Sequence, residues 1–416
     1  MRSIRILKSA LFLGLSLCIF LNASAFASPR FSRGVGIFKM MSWAQIEASP
    51  SKRFVRPAFR EPNRAVSDAE IVGLKKAGFD FVRLTVDPGP FLQFAGSDRD
   101  ELDAILLHNV SRFLKFDLKV IVDFHPGIQH EDYLPEKLVL APDDPLFTRY
   151  VEMIKRTAKL LADKRLVDSV ALELMNEPPI GFNVWSARLW DRLQRRLYLA
   201  ARGESNDLTL ILTGAQFGNY TGLIRLSPKG MQDRNTLYTF HYYLPRVFTN
   251  QGVSNDETSC VCFFHIPYPP ARGSVAQLWP AIEARIRELG SVSLASPVAH
   301  KLLVDYFQKS FDEHDIGQHF DEVLDWAKTN GIDPTRIFLG EFGVSRTYGK
   351  NLGADDDDAA RWLGDVRRAA ESRHFSWAVW EFKGNGGMSI MTNDHSSEVH
   401  PLIVDALGLR QPYVRP

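Results

Sequence analysis

The sequence predicts a (β/α)8 TIM barrel, an α/β fold, with an enlarged insertion between its sixth and seventh strands. Three observations carry that prediction. Eight short apolar runs alternate with longer amphipathic stretches, the pattern of parallel strands covered by helices. Hydrophobic residues make up 45% and charged residues 24% of the 416 residues, which suits a large buried core and is far from the composition of disordered chains. Two of the apolar runs are followed within three residues by a glutamate, Glu177 and Glu341, and the downstream strand ends of a parallel barrel are where functional side chains gather.

The runs read as strands are Gly34–Ile37, Phe81–Val86, Val120–Phe124, Val170–Leu174, Leu208–Thr213, Leu237–Phe240, Ile337–Leu339 and Ser376–Trp380. Helical periodicity follows most of them, at Asp68–Ala77, Asp100–Phe116, Leu146–Leu161, Asn183–Ala201, Phe320–Thr329 and Ala359–Ser372. The chain is longer than the roughly 250 residues typical of the fold, so the surplus must lie in loops and insertions. Most of it falls between about residues 245 and 335, which hold Pro267-Tyr268-Pro269-Pro270, two cysteines and further helical patterns. An insertion there would overhang the strand ends and wall a cleft. No linker divides residues 28–416, which read as one domain.

Residues 1–27 read as a secretory signal: Arg2, Arg5 and Lys8, the apolar run Ala10–Leu21, then Ala23-Ser24-Ala25 and Ala25-Phe26-Ala27. The expected location is secreted or periplasmic. Leu17 before Cys18 is too large for a lipoprotein signal, and no later run is apolar enough to cross a membrane. No stable membrane insertion is expected after cleavage. Lys and Arg number 50 against 49 Asp and Glu, a formal charge of +1, which argues against nucleic acid or an anionic polymer as partner and fits a neutral substrate. Cys260 and Cys262 enclose a single residue, a short loop for a disulfide, and are read as a structural pair; with His265 they make a thin zinc signal. Asp355–Asp358 opens a predicted helix, where acidic side chains satisfy free amides; a calcium site is the weaker reading.

Two motifs bear on chemistry. Asn176-Glu177-Pro178 follows the fourth strand and Gly340-Glu341-Phe342-Gly343 follows the seventh. Paired carboxylates suit glycosidic bond cleavage, because one donates a proton while the other attacks or activates water. Pro178-Pro179 keeps the first loop from turning into helix, and Gly340 and Gly343 leave room for close backbone approach around Glu341. Glu173 and Glu381 are rival carboxylates. Glu173 sits within its strand, where an internal ion pair is expected; Glu381, with Lys383, Asn385 and the loop Gly384–Gly387, is a candidate to bind sugar.

Taken in order, Val82-Arg83-Leu84, Val122-Asp123-Phe124-His125, Glu173-Leu174-Met175-Asn176-Glu177-Pro178, His241-Tyr242-Tyr243, Gly340-Glu341-Phe342-Gly343 and Ser376-Trp377-Ala378-Val379-Trp380 resemble glycoside hydrolase family 5, the cellulase family. The likeness spans nearly the whole of 28–416. It implies a retaining hydrolase of β-linked glycans, with Glu177 as general acid and base and Glu341 as nucleophile. By matching position, Arg83, His125, Asn176, His241 and Tyr243 would surround that pair and the substrate, and Trp380 would lie under the sugar beside the scissile bond. One departure stands out: family members commonly carry Asn where this chain has Gly36.

The resemblance implies an endo-β-1,4-glucanase acting by double displacement on a polysaccharide or oligosaccharide, with no metal and no cofactor. A β-mannanase, a β-1,3-glucanase, an exopolysaccharide-processing hydrolase of the same family, and a catalytically inactive glycan-binding barrel are the alternatives. A metal-dependent esterase using His125, His241 and Asp123 lacks the usual histidine spacing.

Overall fold

The computed structural model describes residues 31–409 apart from 49–50, 62–63, 182–183, 385–386, 393–395 and 397. The segment read as a signal, and Asn183 and Asn385, lie outside the described residues. Eight parallel strands close a barrel in sequence order. They are β1 (Arg33–Met41), β2 (Phe81–Val86), β3 (Lys119–Phe124), β4 (Val170–Glu173), β5 (Thr209–Thr213), β6 (Thr236–Tyr242), β7 (Ile337–Phe342) and β8 (Ser376–Val379). Every predicted strand is present. Prediction cut β1, β6 and β7 short at their downstream ends, where polar residues break the apolar run yet stay in the ladder.

Side chains alternate along each strand, so one residue in two points into the barrel. The inward set is layered by chemistry. Phe81, Ile121, Ala171, Ile211, Phe338 and Ala378 pack with Phe31 as an apolar plug, set apart from the larger core between strands and helices. Two residues further along their strands come Arg83, Asp123, Glu173 and Thr213, all buried. The barrel is therefore dry and apolar at its upstream end and charged at its downstream end. Alternate residues Val82, Leu84, Val122 and Leu172 face outward into the core under the helices.

Strand β7 departs from simple alternation. Phe240 pairs with Leu339 but His241 pairs with Glu341, leaving Gly340 as an extra residue. Such a bulge re-aims the side chains that follow it. It brings Glu341 onto the inner face, three residues after inward Phe338. A Cβ on residue 340 would lie 2.4 Å from Thr239 Oγ1 and 3.1 Å from His241 Nε2, so the bulge requires glycine.

Helices cover the barrel where periodicity placed them, and their starts follow local chemistry. Ser67 and Glu70 form a reciprocal capping box for Asp68–Ala77, and Asp144 caps Pro145–Leu161 through Leu146 and Phe147 amides. The insertion between β6 and β7 holds helices Val275–Leu289 and Ser296–Lys309 before Glu313–Thr329. That last helix belongs to the barrel wall, since Phe320 packs edge-on against Phe240 with ring centroids 5.2 Å apart. Cys260 and Cys262 are joined in a disulfide, with Cα atoms 5.0 Å apart, and both are fully buried. His265 turns instead to Asp355, 2.5 Å from its carboxylate. Asp356 pairs with Arg346, and Asp358 with Arg272 at 3.0 Å. The acidic run at the helix start thus faces cations of the protein. Among the described residues no helix is long and apolar enough to cross a membrane.

Candidate active site

Arg83 organises the charged end of the barrel. Its guanidinium, fully buried, donates Nε and Nη2 to the two oxygens of Glu173 at 2.7 and 2.8 Å, Nη2 to Asn176 Oδ1 at 2.8 Å, and Nη1 to Glu341 Oε1 at 2.6 Å. Asp123 Oδ2 lies 3.1 Å from Nη2. Burying such charges is costly unless each is paired and hydrogen-bonded, and a planar fork of five donors is the side chain that can serve several carboxylates at once. Glu173 is thus the internal ion-pair partner expected of a carboxylate inside a strand. Arg83 does not choose between that structural pair and Glu341; it makes both. Asp87, just after β2, caps the short helix Pro88–Gln93 and accepts from the Gly89 amide at 2.8 Å.

Glu341 is buried, with its second oxygen accepting from the Tyr243 hydroxyl at 2.9 Å. Burial alone would raise its carboxyl. The charges of His241, Arg83 and His125, with the Tyr243 hydroxyl, overcome burial and hold it down at about 2. Across the barrel mouth, Glu177 sits at φ 41°, a left-handed conformation that swings it out of the β4 direction. Its carboxylate keeps 35% exposure and accepts from His241 Nδ1 at 2.8 Å. The same nitrogen lies 3.6 Å from Glu341 Oε2, so one imidazole stands between the two glutamates. Burial pushes that imidazole down, but Glu341 and then Glu177 raise it above the usual histidine value.

His125, after β3, has Nδ1 3.0 Å from Asp123 Oδ2 and Nε2 3.3 Å from the Asn176 amide nitrogen. Burial disfavours its charge, while Asp123 and then Glu341 favour it, with a net upward shift. Trp380 stacks on the His125 ring at 5.7 Å between centroids and 13° between planes. Phe38, from β1, packs edge-on against Trp380, His125 and the half-exposed Trp43. Gly36 now has a reason. A Cβ there would lie 2.7 Å from Trp380 Cε3, so the indole occupies the space an asparagine side chain would need.

The structure brings together all eight residues singled out in the sequence. Arg83, Asn176, His241 and Tyr243 contact one or both glutamates or the Arg83 network, and His125 and Trp380 form the adjoining wall. It adds Asp123 and Phe38, which hold His125 and Trp380 in place. Asp123 carried a signal, standing on the inward side of its strand two residues after Ile121; Phe38, one of 28 phenylalanines, carried none. Glu381 is buried, and its Oε2 has no hydrogen-bond partner among the described residues. Burial, then the charge of Glu341, push its carboxyl up to about 8. Lys383 turns to Glu70, 2.5 Å away.

One ligand atom each from Glu177, His241 and Glu341 lies within 4.8 Å of the others, a spacing that would also suit a small cation. The donor set argues against one. The Arg83 guanidinium already occupies Glu341, and His241 Nδ1 is engaged by Glu177. With the cysteines joined to each other, the loop from Cys260 to His265 retains one of its three candidate zinc ligands.

A parallel barrel that gathers two glutamates in unlike surroundings at its strand ends has the arrangement that glycosidic bond cleavage needs. The chain belongs to the cellulase family, glycosyl hydrolase family 5, whose model matches residues 59–386. It is 22% identical over 334 residues to Endoglucanase 3 of Fibrobacter succinogenes, covering 77% of this chain but 46% of that protein, so it spans less than half the length of that relative. It is 22% identical over 324 residues to Endoglucanase C of Acetivibrio thermocellus, covering 76% of this chain and 84% of that one. Among solved structures, the Thermotoga maritima Cel5A complex with cellobiose superposes with a TM-score of 0.63 at 22% identity, covering 91% of this chain and all of that one, a likeness of fold.

Proposed function

We propose that the protein is a retaining endo-β-1,4-glucanase that works by double displacement. The observation that carries this is the pair of glutamates within 4.8 Å of each other, one ionised and clamped, the other half-exposed. Retaining enzymes hold their two carboxyl groups about 5–5.5 Å apart, whereas inverting ones leave room for a water. Glu341, kept anionic by its neighbours, attacks the anomeric carbon. Glu177 gives its proton to the departing glycosidic oxygen as that bond breaks, leaving a glycosyl ester on Glu341. Glu177, now a carboxylate, takes a proton from water; the water attacks the same carbon, the ester breaks, and the configuration is restored.

The reaction needs no metal and no organic cofactor. Trp380 offers an apolar face to the sugar held over Glu341, and Asn176 and His125 offer hydrogen bonds to its hydroxyls. The endoglucanase names of the sequence relatives support β-1,4-linked glucan as substrate. Residues 28–416 form the catalytic domain in this reading, and residues 1–27 direct export to the periplasm or medium. Proton NMR of products as they form checks the mechanism. Products first appearing in the β configuration are expected; first appearance as α would overturn double displacement.

A further inference from the structure

A cavity of 450 Å³ lies outside the barrel, and none of the eight residues gathered around the glutamates is on its walls. One side is the helix Pro88–Gln93 with Phe94 and Ala95 after it; the other is the helix Pro145–Leu161, from Thr148 to Arg156. Arg99, in the helix Gly96–Lys115, stands between them. Phe91 on the first side packs edge-on against Phe124, with ring centroids 5.9 Å apart. Phe124 follows inward Asp123 in β3 and so faces the core under the helices. The cavity therefore stands behind the barrel wall, away from the charged mouth. Its size falls within the roughly 300–1,000 Å³ of small-molecule sites.

A chain of formal charge +1 gathers cations here: Arg99, Arg149 and Arg156 line the cavity against a single carboxylate, that of Glu152. Arg99 is only 6% exposed. It donates Nε to Asp103 Oδ1 and Nη1 to the Phe91 carbonyl, both at 3.1 Å, and its Cζ lies 5.0 Å from the centre of the Phe91 ring. Its Nη2 is buried with no hydrogen-bond partner among the described residues. A buried donor left unpaired is costly, the more so on a charged group. Burial, the largest influence, lowers the Arg99 guanidinium below its ordinary value although Asp103 opposes it. Asp103 is itself shared, since Arg156 donates Nε to its other oxygen at 2.6 Å and Nη2 to Asp100 at 2.6 Å. Arg149, exposed on the rim, donates to the Leu92 carbonyl and forms no ion pair among the described residues. Two carboxylates thus serve three guanidiniums.

We infer that this cavity binds an oxyanion carried on a sugar-sized ring, as in a sugar acid or a sugar phosphate. Guanidinium forks match the paired oxygens of a carboxylate or a phosphate, and Arg149 and Arg99 bring that charge to the cavity from its rim and from its buried side. Half-buried Phe94, with Met153, offers the apolar surface on which the face of a ring rests. The site goes beyond the hydrolase reading and does not depend on it, because no residue of the glutamate pair or its surroundings enters. Standing behind the barrel wall, it can be filled while the cleft is occupied.

The test is isothermal titration of the full chain at low salt with glucuronate and with glucose 6-phosphate, against glucose, acetate and inorganic phosphate as their separate halves. At least one of the two acids should bind about tenfold or more tighter than glucose and than its own free anion, and which one does so tells carboxylate from phosphate. Arg149→Met, at an exposed position, should weaken that binding by about fivefold or more. Glu152→Gln removes the one carboxylate of the walls and should tighten it about twofold, a gain that misfolding cannot produce. Near-UV circular dichroism checks that both variants keep the fold, so the result stands whether or not the hydrolase reading does. Absence of binding by both acids, or glucose binding as tightly as they do, overturns the site. An affinity unmoved in both variants places the ligand elsewhere and overturns it too. A free anion binding as tightly as its sugar form overturns the sugar assignment.

Discussion

The ends of β4 and β7 carry the same side chain in opposite settings. Glu341 is buried at a bulge, both oxygens occupied by Arg83 and Tyr243, and its carboxyl is held at about 2. Glu177 stands on a left-handed backbone, 35% exposed, with His241 on one oxygen and a cavity before it. The difference teaches that identical carboxyl groups become different reagents through what the barrel places around them. One is fixed as an anion aimed at a carbon. The other keeps contact with solvent, through which a proton donor must be reloaded each cycle.

Breaking the pair one member at a time should expose that contrast most strongly. Glu341→Gln removes the atom that forms the ester and should lower kcat by at least about 10⁴-fold on every substrate, good leaving group or poor. Glu177→Gln removes the proton donor of the first step and the base of the second. In kcat/KM, which reports the first step, it should cost about 10²–10⁴-fold on cellohexaose but far less on 2,4-dinitrophenyl β-cellobioside, whose leaving group departs unprotonated. Parallel kcat/KM measurements on the two substrates check this, and equal losses for Glu177→Gln would show that the contrast between the glutamates is false.

Arg83 sharpens the comparison next, because it pairs with Glu341 and makes no bond to Glu177 among the described residues. Arg83→Met leaves Glu173, Asp123 and Glu341 buried without their cation, and breaking such buried pairs typically costs about 3–5 kcal/mol. Denaturant unfolding should show that loss. In whatever fraction folds, Glu341 loses one of the charges that overcome its burial, so its carboxyl should rise and the acid limb of the kcat/KM profile should move to higher pH. A variant with lower stability but an unmoved acid limb would assign Arg83 to the scaffold alone.

Much of this site was legible because period and position agree in a barrel. Glu173 and Asp123 lie two residues beyond the inward Ala171 and Ile121, so alternation alone orders apolar plug before charge. The motif order then placed Glu177, Glu341 and their neighbours at successive strand ends. Three things were not legible. The bulge at Gly340 is a property of the β6–β7 register, and without it alternation from Phe338 would send Glu341 outward. The collision that reserves Gly36 for Trp380 joins residues far apart in sequence. The insertion's place between β6 and β7 foretold that it would wall a cleft, but which of its residues line the cavity beside Glu177 depends on the path by which it folds back, and nothing in its periodicity encodes that path.

The last contrast concerns Glu381, a third carboxyl beside Glu341 whose role differs from both glutamates of the pair. Burial first, and Glu341 second, push it up to about 8, well above the ordinary 4.5 of an exposed glutamate. The folded state therefore holds a proton that the unfolded chain releases between those values. Unfolded chains binding fewer protons means stability falls as pH rises, fully favourable below 4.5 and lost progressively up to about 8, at no more than about 1.4 kcal/mol per pH unit. Glu381→Gln carries no such proton. Its melting temperature should gain on the unmodified protein as pH is raised from 5 to 8, while the two respond alike below 4. A constant difference across that range would mean that Glu381 is ionised in the fold, with a cation or sugar-facing water as its partner. It would also mean that the glycone side of the cleft presents two negative charges to the sugar, those of Glu381 and Glu341, rather than that of Glu341 alone.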